Sequence, residues 1–164
     1  MFIEGKGLVK KYGKGEATVY ALDHTDFGME KGEVVVILGP SGSGKSTLLN
    51  ILGGLDKLTE GSMIVDGVDL EKMSARELEA YRRNKLGFVF QSYNLTPALT
   101  VRENIEMTAE LVNDPLSVDT LMESLGLTRY EKHFPKELSG GQQQRCAIAR
   151  AMVKKPDILL CDEL

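Results

Sequence analysis

An α/β fold is what this sequence predicts, on three observations. An unbroken apolar, β-branched run at residues 34–38 (VVVIL) leads into a glycine-rich turn and then a helical stretch at 46–52. Strand–turn–helix order of this kind builds sheets covered by helices. Residues 100–126 then take on a helical pattern between two short apolar runs, 87–90 and 158–161, which read as further strands. The first thirty residues alternate loosely and are broken by Gly5, Gly7, Gly13 and Gly15, as short antiparallel strands would be.

Composition narrows the class. The chain has 164 residues, 42% of them apolar, enough for one cored domain without staples. A net charge of −4 argues against a nucleic-acid surface, which would cluster Lys and Arg. The short basic run Arg82, Arg83, Lys85 follows Glu77 and Glu79 and reads as a solvated helix end. Cys146 and Cys161 lack paired spacing, so a disulfide framework is not expected and a reducing compartment fits. His24 and His133 lack metal-ligand spacing. No apolar stretch approaches the ~20 residues of a membrane span, and the N-terminus has no signal-peptide pattern. Any membrane role is expected to come through a partner.

Taken in order, residues 7–10, 20–23 and 25–29 are predicted strands. The run at 34–38 reads as a strand buried on both faces, because no polar residue interrupts it. The helix at 46–52 is stopped by Gly53 and Gly54. Asp66-Gly67 between 62–65 and 68–70 signals a two-residue hairpin turn. Ser74 followed by Glu77 is a capping box that opens a helix to about Asn84. GFVF at 87–90 is a short buried strand ending at Gln91. Thr100 with Glu103 and Thr128 with Glu131 make two more boxes, and Leu121, Met122 and Leu125 share a helical face that Gly126 ends. These helices form a small subdomain inserted at about 92–138, so 1–164 reads as one domain. Ser139 opens another helix, which stops before Pro156, and 158–161 is the last strand.

The sharpest signal is GPSGSGKST at 39–47, which fits the phosphate-loop pattern GxxxxGK[ST]. Its glycines let the main chain approach oxygen atoms, consecutive N–H groups form an anion nest, and the following helix adds its positive end. The candidate nucleotide-binding residues here are Gly39, Pro40, Ser41, Gly42, Ser43, Gly44, Lys45, Ser46 and Thr47. Lys45 suits the β- and γ-phosphates, and the Ser46 hydroxyl suits Mg²⁺. A second signal is the apolar strand 158–161 ending in Asp162 and Glu163. Asp162 suits Mg²⁺. Alternation along a strand puts Glu163 on the opposite side, where it could polarise a water.

LSGGQQQR at 138–145, after the phosphate loop and before the strand ending Asp162-Glu163, resembles the signature of ATP-binding-cassette ATPases. The resemblance covers essentially the whole chain. It implies a P-loop NTPase with a RecA-like core, an N-terminal antiparallel β-subdomain and an inserted helical subdomain. It also implies ATP and Mg²⁺ as cofactors, and hydrolysis coupled to export by an integral membrane permease subunit. Two copies would close head to tail around two nucleotides, at the cytoplasmic face of the cell membrane, with no nucleic acid involved. On its own chemistry, Ser139 can cap the next helix while Gly140 and Gly141 bare its first N–H groups. The resemblance assigns Ser139, Gly140, Gly141 and Gln142 to the other copy's ATP. It assigns Gln91 to sensing Mg²⁺ and the attacking water, Tyr12 to stacking on adenine, and Glu163 to catalysis with Lys45 and Gln91. The wording is most similar to transporters for lipoprotein release, macrolides and antimicrobial peptides.

Family members continue past Asp-Glu with a D-loop, more strands and a γ-phosphate histidine, whereas this sequence stops at Leu164. The expectation is a core lacking its C-terminal part, with weak nucleotide binding and poor hydrolysis by the 164-residue chain alone. Two other functions compete. A DNA-repair cassette is disfavoured by the absence of a heptad run between Lys45 and Ser139, whereas a translation cassette, which usually carries two cassettes on one chain, stays open. A nucleotide sensor without turnover is disfavoured by Glu163.

Overall fold

The computed structural model describes residues 1–163. The chain divides into two compact units, Met1–Glu79 and Ala80–Leu164.

In the first unit, β1 (Ile3–Tyr12) pairs antiparallel with β2 (Val19–Met29). α1 (Lys45–Leu52) buries Leu48, Ile51 and Leu52 and ends at Gly53, as the paired glycines predict. β3 (Glu60–Val65) pairs antiparallel with β1 and then with β4 (Val68–Asp69), giving the sheet order β2-β1-β3-β4. Asp66 and Gly67 take φ of 50° and 78°, the left-handed pair that a two-residue hairpin needs. The three short strands expected before residue 30 are instead two long ones. Register shifts between Gly5 and Leu8 and between Leu8 and Lys10 absorb the interruptions as bulges. Ile3, Leu8, Val9 and Met63 are fully buried.

The run at 34–38 departs from expectation. It forms no strand, and Val34, Val36 and Leu38 are 93%, 74% and 87% exposed. A β-branched composition favours a pleated, half-buried surface but does not supply the neighbour whose hydrogen bonds make a strand. No strand among the described residues pairs with this run.

α2 (Ala75–Lys85) crosses the division between the units. Its box forms as predicted: the Glu77 N–H donates to Ser74 Oγ at 3.3 Å and the Ser74 N–H to Glu77 Oε2 at 2.7 Å.

In the second unit, β5 (Leu86–Val89) runs parallel to β6 (Ile158–Cys161), Leu86 opposite Ile158 and Val89 opposite Cys161. Between them in sequence lie α3 (Val101–Ala109), α4 (Val118–Ser124) and α5 (Gly140–Met152). Val101 and Ile105 of α3, Met122 of α4, and Cys146 and Ala149 of α5 share one apolar core with Leu127, Leu138 and Val153. Thr100 caps α3 in a full capping box with Glu103, and Gly126, at φ 65°, follows α4. The box expected at Thr128 is absent: Thr128–Tyr130 is a 3₁₀ turn without a side-chain cap. Glu131 serves Arg102 instead, accepting from Nε at 3.0 Å and Nη2 at 2.7 Å. Two charged guanidinium N–H groups converging on Oε2 outcompete a lone backbone N–H for the carboxylate.

Candidate functional site

The phosphate loop sits in the first unit. Gly44, at φ 88°, is the N-cap of α1 and has no side chain with which to cap it. A Cβ there would lie 2.1 Å from the Ala21 carbonyl oxygen, so this position requires glycine. The cap residue therefore offers the first N–H groups of α1 no side-chain acceptor. By contrast α3, α4 and α5 are capped by Thr100, Ser117 and Ser139. Lys45 bends back over the loop, its Nζ donating to the carbonyls of Gly39 and Pro40, each at 2.8 Å, with Ser43 Oγ at 3.4 Å. A primary ammonium held by weak neutral acceptors beside a helix N-terminus fits a polyanion, which would replace those acceptors with charged oxygens. Ser41 and Gly42 are exposed at the loop's crest, and Ser46 and Thr47 follow in the first turn of α1.

Tyr12 stands at the end of β1 and is 45% exposed. Its Oη donates to Asp56 Oδ2 at 2.8 Å, and Asp56 Oδ1 takes Lys10 Nζ at 2.6 Å. The Lys10 ammonium lies 5.0 Å from the Tyr12 ring centroid. Burial and the bond to Asp56 push the Tyr12 phenol up, against the pull of the Thr47 hydroxyl. Burial would raise the Asp56 carboxyl, but Lys10, Tyr12 and the Lys57 N–H outweigh it and hold it below the usual aspartate value.

The second unit brings Gln91 to Glu163. β5 and β6 end together, and the ladder extends one residue through the Asp162 N–H to the Val89 carbonyl at 2.9 Å. Gln91 Nε2 then donates to Glu163 Oε2 at 2.7 Å. Strand alternation is not what aims Glu163: β6 ends at Cys161, and Glu163 has φ 54°. The left-handed residue turns its carboxylate toward Gln91. Cys161 is free and half-buried, and burial raises its thiol, so it behaves as a small apolar group.

The signature forms the start of α5. Ser139 Oγ accepts from the Gln142 N–H at 3.3 Å, and Gln142 Oε1 accepts from the Ser139 N–H at 2.9 Å. A Cβ at Gly140 or Gly141 would meet no atom within 4 Å. Nothing in this chain's own packing requires those two glycines, although each weakens a helix by roughly 1 kcal/mol against alanine. Residues 22–164 match the ABC transporter family.

The chain belongs to that family. It is 45% identical over 98% of its length to a putative ABC transporter ATP-binding protein of Mycoplasma pneumoniae, of which it covers 35%. It is 46% identical to the macrolide export ATP-binding/permease protein MacB of Rhodopseudomonas palustris, again over 98% of the chain but 25% of that protein. An uncharacterized ABC transporter ATP-binding protein of Thermotoga maritima is 47% identical, with 94% of this chain and 68% of that one aligned. The chain thus spans between a quarter and about two thirds of these relatives. Among solved structures it is similar to the dimeric ATP-binding cassette MJ0796 in a post-hydrolysis state bound to ADP and Pi. That match has a TM-score of 0.89 at 43% identity, and covers 98% of this chain and 73% of the other. The α/β cassette fold expected from sequence is therefore the fold of this ABC chain.

Two groups next to the site gave no signal in the sequence. Asp56 follows a glycine-ended helix like any loop acid, yet it anchors Tyr12. Arg150 sits within an amphipathic helix, yet its guanidinium reaches the Tyr93 and Asn94 carbonyls.

Proposed function

We propose that this chain is the ATP-binding and ATP-hydrolysing part of an ABC transporter, in which ATP-driven closure and reopening of two copies power export by a membrane permease. The observation that carries the reading is the phosphate loop, a glycine-capped helix N-terminus beside a folded-back lysine. Lys45 moves its hydrogen bonds from the loop carbonyls to the β- and γ-phosphates, while loop amides from 39–47 hold the rest of the triphosphate. Tyr12, steadied by Asp56, offers its ring to adenine.

Ser46, Gln91 and Asp162 are the proposed Mg²⁺ ligands; each brings a hard oxygen donor. When bound, the ion neutralises charge on the β- and γ-phosphate oxygens. Glu163 accepts a proton from the attacking water, whose oxygen bonds to the γ-phosphorus as the bond to the β-bridging oxygen breaks. ADP and phosphate leave. Gln91 orients Glu163 through the bond it already makes.

Ser139, Gly140, Gly141 and Gln142 are proposed to meet the other copy's ATP. Two helix-start glycines in open space suit a partner that approaches the backbone closely. The helical stretch 92–138 is the proposed contact for the permease. No helix among the described residues is long and apolar enough to cross a membrane, which suits a peripheral subunit at the cytoplasmic face. Relatives named for macrolide export support the export direction.

The test is Glu163→Gln in the full-length protein. Mg·ATP binding should persist while phosphate release falls by at least about a hundredfold, the usual scale of a general base. Unchanged turnover would remove Glu163 as the base.

A further inference from the structure

Four residues past Gln91's strand the backbone is held in an unusual shape. Tyr93 and Asn94, consecutive and neither of them glycine, take φ of 62° and 49°. Asparagine tolerates the left-handed region, but a tyrosine beside it persists there only when the surroundings fix it. Part of the fixing is local: the Tyr93 N–H donates to the Phe90 carbonyl at 2.9 Å, and the Asn94 N–H to the Ser92 carbonyl at 2.8 Å. The rest comes from α5. Arg150 Nη2 donates to the Tyr93 carbonyl at 2.6 Å and Nη1 to the Asn94 carbonyl at 2.7 Å.

The guanidinium is partly buried, and burial disfavours its charge. Burying a cation against neutral carbonyls is costly unless its hydrogen bonds are short and well formed, as these are. The geometry is also a fork: two N–H groups on one rigid plane grip two successive carbonyls. Arg150 lies in the last turn of α5, where the helix dipole favours a cation. Its helix is anchored by Ala147 and Ala151, which pack with Val89 of β5 and with Tyr93. The fork is therefore fixed to the same strand that delivers Gln91.

We propose that Arg150 is a positioning residue for the Gln91–Glu163 pair, acting by clamping the Tyr93–Asn94 turn that follows Gln91. Gln91 is two residues from the first clamped carbonyl. If the turn relaxes, the Gln91 carboxamide loses the backbone support that sets it 2.7 Å from Glu163. α5 begins at Gly140, capped by Ser139, and ends beyond Arg150, so one helix carries both the signature and the clamp. This inference rests on the roles given above to Gln91 and Glu163, and the experiment keeps the two separable.

The experiment compares Arg150→Met, Arg150→Lys and Gln91→Ala with the wild type in the full-length protein. It reads the kcat and KM of Mg·ATP hydrolysis, and hydrogen exchange of the amides at 90–95. Arg150→Met should lower kcat about tenfold with KM within about twofold, since a misplacement of about 1 Å far from bound substrate costs rate before affinity. Exchange at 90–95 should quicken at least about tenfold. Arg150→Lys should recover part of both, one carbonyl being within a lysine's reach, and it also keeps the test alive if Arg150→Met does not fold. Unchanged exchange at 90–95 in both variants overturns the clamp. So does an unchanged kcat in both while Gln91→Ala lowers it. If Gln91→Ala leaves kcat intact, the role given to Gln91 fails, and the exchange measurement alone decides whether Arg150 holds the turn.

Discussion

Gln91 and Glu163 are 72 positions apart in sequence and 2.7 Å apart in space. The same offset separates every paired residue of β5 and β6, from Leu86 and Ile158 to Val89 and Cys161. The parallel register, continued two residues past the strands, is what makes the pair. Replacing Gln91 with Glu would set two carboxylates where one amide now donates to one acid. Like charges that close repel, so Glu163 would swing away from the position that the Gln91 amide now gives it. Gln91→Glu should therefore lower the kcat of Mg·ATP hydrolysis at least as far as Gln91→Ala does, read by phosphate release from the full-length protein.

The Lys10–Asp56–Tyr12 cluster makes a prediction about stability. The folded-state pKa of Asp56 lies below the ordinary 3.8. A depressed carboxylate stabilises the fold fully above its unfolded value, and that contribution fades as the pH falls through the folded value. Asp56→Asn should cost about 1 kcal/mol at neutral pH, and the gap to the wild type should close below pH ~3.8. Denaturant melts at several pH values read this out. Tyr12→Phe loses the Asp56 bond but keeps the ring, so ATP affinity should barely change, whereas Tyr12→Ala should weaken it by about 1–3 kcal/mol, the value of one stacked base.

Asn104 is the buried polar side chain of the helical core. Its Nδ2 donates to the carbonyls of Thr96, Leu99 and Thr100 at 3.0–3.2 Å, and its Oδ1 accepts from the Thr96 N–H at 2.8 Å. It ties the loop before α3 to the helix. Asn104→Ala would strand those groups without water, and should cost about 2–3 kcal/mol in urea unfolding. Asn104→Asp should be worse, because a carboxylate would face three carbonyl oxygens.

Gly44 and Gly140 should separate folding from function. Gly44→Ala places a methyl group 2.1 Å from the Ala21 carbonyl in a left-handed residue, so the first unit should lose stability. Gly140→Ala meets nothing and should gain up to about 1 kcal/mol of helix stability. If the start of α5 meets another copy's nucleotide, Gly140→Ala should nevertheless lower turnover. Parallel thermal melts and phosphate release compare the two.

Sequence reading reached furthest where local chemistry decides. The Asp66-Gly67 hairpin, the boxes at Ser74 and Thr100 and the stop at Gly126 depend on residues within four positions of one another, and all formed. The phosphate loop was legible for the same reason. The run at 34–38 misled because a strand needs a partner that composition does not name. The box at Thr128 misled because Arg102, distant in sequence, takes Glu131. Asp56 and Arg150 could not be foreseen, since each acts on carbonyl or hydroxyl groups more than forty positions away. Glu163 was assigned its place by strand alternation, but a left-handed φ just past the strand is what aims it.

The most direct measurement is calorimetric titration of Mg·ATP into the full-length protein, with and without Lys45→Ala. Saturable binding that Lys45→Ala weakens at least about tenfold, a loss of ~1.4 kcal/mol, together with loss of turnover, is the predicted result. Absence of Mg·ATP binding in the wild type, or affinity and turnover indifferent to Lys45→Ala, would contradict it.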